Sequence, residues 1–241
     1  RCLVIRLHSQ PPGASSHVGF QVHVHGQKNL QDQETLGILG VNLIYGASLL
    51  YNDPETLLLS LLDGIYRELC EIDMIDFSGP AFEKVDNRLM ALRLVEKGMS
   101  DAAMFTADGK IVQVAEQLWK KAVIVDRSRF RPPTNFTINL LDCARDAFKQ
   151  DTGLGDDELV VISEMTLNNL INGQDIDVTD VLDRAELLCA MDKHVLISNY
   201  GEYYRLAQYL FRYTTMPIAL AMGALSVREI FNEKYYEDLP V

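Results

Sequence analysis

A short apolar run that leads through small or polar residues into a helical pattern recurs seven times along this chain. The runs are Val41–Ala47, Ile72–Phe77, Ala102–Thr106, Ala122–Val125, Val160–Ser163, His194–Ser198 and Pro217–Met222. Each is too short for a helix, and most are apolar on both faces, as a strand covered on both sides of a parallel sheet must be. The pattern predicts an α/β fold with a mostly parallel sheet and flanking helices.

Residues 1–26 follow a different rule. Leu3, Ile5 and Leu7 alternate with Cys2, Val4 and Arg6, and Val18, Phe20, Val22 and Val24 alternate with Gly19, Gln21, His23 and His25. The turn-rich Pro11-Pro12-Gly13-Ala14-Ser15-Ser16 lies between them. This predicts an antiparallel hairpin with one buried face at the edge of the main sheet. The 241 residues are read as a single α/β domain, with 1–26 as its hairpin and with Arg1 and Val241 as cuts in a longer chain. Asp53-Pro54 predicts a helix start that runs to about Cys70. A second helix is expected from Pro80 to Lys97-Gly98, closed by glycine. Ser226-Val227-Arg228-Glu229 has the spacing of a capping box, and the acidic, glycine-bearing Asp151–Glu158 reads as a surface turn.

The formal net charge of −12 argues against a nucleic-acid or anionic-membrane partner, since phosphate backbones call for a basic surface. The longest apolar stretch, Leu36 to Leu50, is interrupted by Gly37, Gly40, Asn42 and Gly46 and falls short of the roughly 20 residues that span a bilayer. Cys2, Cys70, Cys143 and Cys189 are widely spaced in apolar runs with no C-x-x-C, and are read as buried, reduced thiols of a cytoplasmic protein.

Open α/β sheets bind ligands beyond the carboxyl ends of their strands, so candidate chemistry is sought there. Asp73 and Asp76 alternate to opposite faces of their strand, which makes them a poor carboxylate dyad. Ser78 and Gly79 follow, where a strand feeds a helix and backbone N–H groups favour an anion. The competing role of Ser78 is a plain helix cap. Asp126-Arg127-Ser128-Arg129-Phe130-Arg131, with Lys120 and Lys121 before it, concentrates basic residues in an acidic chain. Planar guanidinium groups suit phosphate or carboxylate, and alternate arginines in extended chain would point the same way. The competing role is a solvated loop paired with the acidic surface. His8, His17, His23 and His25 include two residues on one strand face, as metal ligands would be, but nothing nearby completes a set and no metal is assigned. Tyr200, Tyr203 and Tyr204 beside Arg205, and the Tyr235-Tyr236 pair, read as helix packing. No G-x-G-x-x-G after a strand, P-loop, G-x-S-x-G or H-E-x-x-H occurs, and no motif names a cofactor.

Thr106, Asp108 and Gly109 after one strand, with Ser198 and Asn199 after another, are similar to the strand-end motifs of haloacid-dehalogenase-type phosphatases. The chain departs from them where Thr106 replaces the aspartyl nucleophile, so no phospho-aspartate can form. Gly40-Val41-Asn42-Leu43-Ile44-Tyr45-Gly46-Ala47, together with Ile72–Met90, Asp101–Gly109, Lys120–Asn135, Ser163–Leu170, Val195–Leu210 and Arg228–Tyr236, resembles a mainly bacterial family that spans nearly the whole chain. Members of that family extend past both ends and go under two incompatible names, nicotinate-nucleotide adenylyltransferase and TonB-dependent receptor. The residues fit neither. Ser16-His17-Val18-Gly19-Phe20 lacks the second histidine of an H-x-G-H turn, and Ile197-Ser198-Asn199-Tyr200 with Arg205 departs from I-S-S-T-x-x-R. An outer-membrane barrel needs strands that follow one another, not strands that alternate with helices.

The expected function is binding or turnover of a small phosphorylated or carboxylated metabolite, with nucleotides among the candidates. Arg127, Arg129 and Arg131 would clamp the anion, Ser78 and Gly79 would donate backbone N–H groups, and Asp76 or Asp126 would serve as acid or base. The alternative is a non-catalytic scaffold or assembly protein on the same fold. Oligomeric state is left open.

Overall fold

The computed structural model describes residues 2–7, 15–25, 29–167, 171–172 and 175–232. Along the chain run β1 (Cys2–Leu7), β2 (Ser16–Val24), α1 (Asn29–Leu49), α2 (Pro54–Ser60), β3 (Cys70–Ser78), α3 (Asn87–Glu96), β4 (Ala102–Phe105) and β5 (Ile111–Val112). They are followed by α4 (Val114–Leu118), β6 (Ala122–Arg127), α5 (Asn135–Thr152), β7 (Leu159–Thr166), β8 (Ile171–Asn172), β9 (Asp175–Ile176), α6 (Val178–Ala190), β10 (His194–Ser198), α7 (Tyr203–Leu210), β11 (Ile218–Ala221) and α8 (Ala224–Ile230).

The fold is α/β. Strands β11, β6, β7, β10, β4 and β5 form one sheet in that order, and the β11–β6, β6–β7 and β7–β10 pairings are parallel. The predicted antiparallel hairpin is present, and β3 completes it into a separate three-stranded sheet, β1-β2-β3. Contacts divide the chain into two compact units: Arg1–Met104 with Lys110–Gln113, and Phe105–Gly109 with Val114–Val241. His8, the turn residues Pro11–Ala14 and the Tyr235-Tyr236 pair lie outside the described residues.

In the first unit the hairpin alternates as its sequence demands, with Val18, Phe20 and Val22 of β2 fully or almost fully buried. Strand β3 carries a bulge. Gln21 pairs with Met74 but Val22 pairs with Ile72, which leaves Asp73 as the extra residue. The bulge switches which residues face the core, from Cys70 and Ile72 before it to Ile75 and Phe77 after it. One predicted strand is corrected. Val41–Ala47 lies inside helix α1. A run that is apolar on every side does not reveal its period, and a buried strand and a helix with two apolar faces then look alike. Leu39, Leu43 and Ala47 take the buried face, and Gly46 lets α1 approach α2, because a Cβ there would sit 3.1 Å from both Leu57 and Ser60. The Asn42 side-chain amide ties α1 to the chain after α2 by donating to the Leu61 and Asp63 carbonyls, each at 2.9 Å.

The first predicted helix starts where expected but ends early, and the second starts later than expected. Asp53 caps α2, accepting from the Thr56 N–H, but the helix ends at Ser60 and not near Cys70. Pro80 opens only a 3-10 turn to Phe82, and Asp86 then caps α3, which closes as predicted at Lys97 and Gly98 (φ +66°). At the chain's far end α8 begins at Ala224, so Ser226 sits in its first turn and not at its cap.

In the second unit α5 packs Leu141, Ala144 and Phe148 on Ile124, Val161 and Ala221. Connections β6–α5–β7 and β7–α6–β10 advance in one direction across the sheet, whereas β10–α7–β11 returns past β7 and β6. Right-handed crossovers therefore place α5 and α6 on one face and α7 on the other. Among the described residues no helix is long and apolar enough to cross a membrane. The cysteines are all reduced, but only Cys70 is buried, its thiol pushed up to about 11 by that burial. Cys2 and Cys143 are exposed and Cys189 is partly buried, which corrects the expectation of four buried thiols.

Candidate functional site

Strand β6 delivers two charged residues at its carboxyl end, and strand alternation sends them to opposite faces. Asp126 follows Ile124 toward α5, in register with Ser163 on one side and Ala221 on the other. Arg127 follows Val125 toward α7. Adjacent strands whose following helices lie on opposite faces open a crevice at their carboxyl ends, which here occurs between β7 and β10.

On the α7 side that crevice is filled by a charged network. Glu164 of β7 is fully buried and accepts Arg127 Nε at 2.6 Å, Arg127 Nη2 at 3.3 Å and the Ser198 hydroxyl at 2.6 Å. Arg127 also donates to the Gly201 carbonyl at 2.7 Å, and its guanidinium lies 4.7 Å from the centre of the Tyr203 ring. Burial pushes the Glu164 carboxyl up, against the pull of Arg127 and Ser198. Burial likewise raises the Tyr203 phenol, which bonds Ser226. This pair holds β6, β7 and β10 together and leaves the Arg127 charge already matched.

On the α5 side the arrangement is open. A cavity of about 410 Å³ lies beyond the ends of β6 and β11, lined by Asp126, Arg127, Phe136, Thr137, Tyr203 and Ser226 among others. Asp126 is 3% exposed, and its Oδ2 is buried with no hydrogen-bond partner among the described residues. Desolvation by burial pushes its carboxyl up to about 6. A carboxyl of that kind changes protonation state much closer to neutral pH than an ordinary aspartate does.

Beyond Arg127 the chain bends. Phe130 is buried at φ +44°, so the three arginines do not share one direction as extended chain would have them do. Arg129 is exposed, and Arg131 reaches Asp180 of α6 at 3.7 Å. A further arginine that the sequence reading missed, Arg184 of α6, joins Arg129 and Arg131. It is 6% exposed, donates Nη1 to the Arg129 carbonyl at 3.0 Å and pairs through Nη2 with Asp180. Burial, then Arg131, lowers its pKa, with Asp177 opposing and Arg129 adding to the effect. The only sequence signal was the Asp180–Arg184 spacing of one helical turn. Lys120 and Lys121 precede β6 and so lie about 20 Å of strand away from Arg127. They do not join the arginines.

The remaining candidates are spread out. Thr106 bonds Asp108, and its carbonyl accepts the Cys189 thiol at 3.3 Å. Cys189 sits at the end of α6, before β10 begins, so Thr106 and Asp108 lie at the amino end of β10 while Ser198 and Asn199 lie at its carboxyl end. The structure does not bring the two phosphatase-like motifs together. Asp76, Ser78 and Gly79 belong to the first unit. Asp76 is exposed and accepts from Asn87 at 3.2 Å. The Ala81 N–H, in the turn that follows Gly79, donates to the Ser16 hydroxyl at 2.9 Å. Asp73, at the bulge, is pushed up to about 6 by burial. Among the described residues no group of three or more metal-type ligands forms. His17 instead bonds Ser15 at 3.0 Å, and the His23 and His25 rings lie 4.9 Å apart.

Comparisons with protein-family models, with curated proteins and with solved structures find no match.

Proposed function

We propose that the second unit binds a small phosphorylated or carboxylated metabolite beyond the carboxyl ends of β6 and β11 and acts on it through Asp126. The observation that carries this reading is Asp126 itself, a buried carboxyl with an unpartnered oxygen beside a cavity. Leaving such a group unpaired costs stability. Its raised pKa suits a general acid or base that takes a proton from, or returns one to, a substrate hydroxyl or amine. The anionic class rests on the arginine-bearing segment that continues directly from it. Nucleotides and sugar phosphates are the first candidates.

A thermal-shift panel of nucleoside phosphates, sugar phosphates and dicarboxylates tests this reading, run on the wild type and on Asp126→Asn. A ligand at about 100 times its dissociation constant should add about 2.7 kcal/mol of stability. A shift that disappears in the variant supports the reading, and no shift anywhere in the panel sinks it.

One observation in the first unit favours a second reading, a non-catalytic assembly role. Helix α1 exposes Ile38 (41%), Val41 (66%), Ile44 (58%), Tyr45 (54%) and Leu49 (65%), and no charged residue occurs between Glu34 and Asp53. Ile38, Val41 and Tyr45 follow the 3-4 spacing of a helix-pairing seam, and the occupant this seam suits is the same helix of a second copy. Sedimentation of the wild type and Val41→Glu decides the point. A concentration-dependent dimer abolished by the charge supports it, and a monomeric wild type refutes it.

A further inference from the structure

We propose that Arg129, Arg131 and Arg184 form a recognition site for a phosphate monoester, with Arg184 setting the geometry and the other two gripping the anion. The inference deepens the reading above and rests on it in placing the anion where the chain that lines the cavity from Asp126 to Ser128 runs on to Arg131.

Three features build the site. Phe130 is 3% exposed and anchors the middle of the segment, so the arginines on either side are held at its surface edge. Arg184 pins the same segment from α6 through its bond to the Arg129 carbonyl, 3.0 Å long. Asp180 then receives Arg184 directly and Arg131 at 3.7 Å, so one carboxylate serves two guanidinium groups. The Arg131 contact is too long for a hydrogen bond and leaves the donors of that side chain available.

Charge counting points the same way. Arg184 has Arg131, Arg129 and Asp177 as charged neighbours, and Asp180 is shared between Arg184 and Arg131, so three arginines gather around two aspartates in a chain of net charge −12. Among the described residues no hydrogen bond or ion pair engages the Arg129 guanidinium, and the buried Nε of Arg184 has no partner. Arg131 and Arg129 both act on Arg184 as like charges that its aspartate neighbours do not fully offset, and a bound anion opposes that repulsion. A guanidinium fork matches two phosphate oxygens at once. A dianion satisfies two forks better than a monocarboxylate, whose two oxygens and single charge are filled by one arginine.

The test is a titration with inorganic phosphate at low ionic strength, where such contacts are least screened. It is followed by calorimetry and by phosphorus NMR, with acetate as the monocarboxylate. The wild type should bind phosphate saturably and in preference to acetate. Arg129→Ala and Arg131→Ala should each weaken binding by about tenfold or more, and their unchanged circular dichroism would show that the fold persists. Arg145→Ala removes an exposed arginine elsewhere in the same unit and should keep phosphate binding, which separates a site from a general loss of positive charge. Absence of saturable binding, equal affinity for acetate, or indifference to both substitutions overturns the proposal. Metabolite shifts that depend on Asp126 without any phosphate binding would refute this inference and leave the cavity reading standing. Phosphate binding that needs Arg129 and Arg131, with no metabolite response, would do the reverse.

Discussion

Replacing Asp126 by Asn removes an ionisable group while keeping its shape, so the variant stands for the protonated aspartic acid at every pH. Burial raises the Asp126 carboxyl from 3.8 to about 6, a difference of about two pKa units. At about 1.36 kcal/mol per unit this corresponds to about 3 kcal/mol. The sign follows from proton counting. Between the unfolded and folded pKa values the folded chain still holds its proton and the unfolded chain has lost it, so unfolding releases a proton and stability falls as pH rises. The stabilising contribution is fully present below about pH 4 and lost above about pH 6. Wild type and Asp126→Asn should therefore differ little near pH 4, and the variant should become more stable by up to about 3 kcal/mol toward pH 7 and above. Asp73 is also raised to about 6, but it is common to both proteins and cancels in the difference. Urea unfolding at several pH values, followed by circular dichroism and by the fluorescence of Trp119, the single tryptophan and a residue of the second unit, gives both curves. A stability difference that stays flat from pH 4 to 8 would refute the reasoning, because it would mean that Asp126 titrates alike in the folded and unfolded chain.

Glu164→Ala leaves the Arg127 guanidinium, whose side chain is 5% exposed, without its counter-charge. Such a loss costs about 3–5 kcal/mol and should show as a large drop in the urea midpoint. Gly79 sits at φ +91°, and a Cβ there would lie 2.5 Å from the Ser15 carbonyl and 2.6 Å from the Ser16 Cα. Gly79→Ala should destabilise the first unit by about 1–3 kcal/mol or more, seen as a lowered melting temperature. Asn42→Ala removes two bonds that tie α1 to the chain after α2, and should cost about 1–3 kcal/mol in denaturant unfolding.

Much of the architecture is legible in the sequence because it depends on short-range periodicity. Ala122–Val125, Val160–Ser163 and His194–Ser198 are strands in the structure, and their parallel pairing follows from being apolar on both faces. The hairpin announces itself by its alternation, and Asp53-Pro54 by its cap chemistry. Where the pattern carries no period the reading fails, as in Val41–Ala47, whose second apolar face disguised a helix as a strand.

The candidate site divides in the same way. Residue type and strand position mark Asp126 and the arginine segment without any coordinates. Which arginine is neutralised and which is available depends on partners distant in sequence. Glu164 lies 37 residues from Arg127, and Arg184 lies 55 residues from Arg129. Sequence alone determined the α/β class, six of the seven strand runs and the chemistry present at the strand ends. Tertiary structure decided that Arg127 is spent on Glu164, that Arg184 replaces it beside Arg129 and Arg131, and that Asp126 Oδ2 is buried with no hydrogen bond among the described residues. The physical reason is that periodicity and capping act between residues a few positions apart, whereas pairing and desolvation of charges are set by strand order and crossover direction.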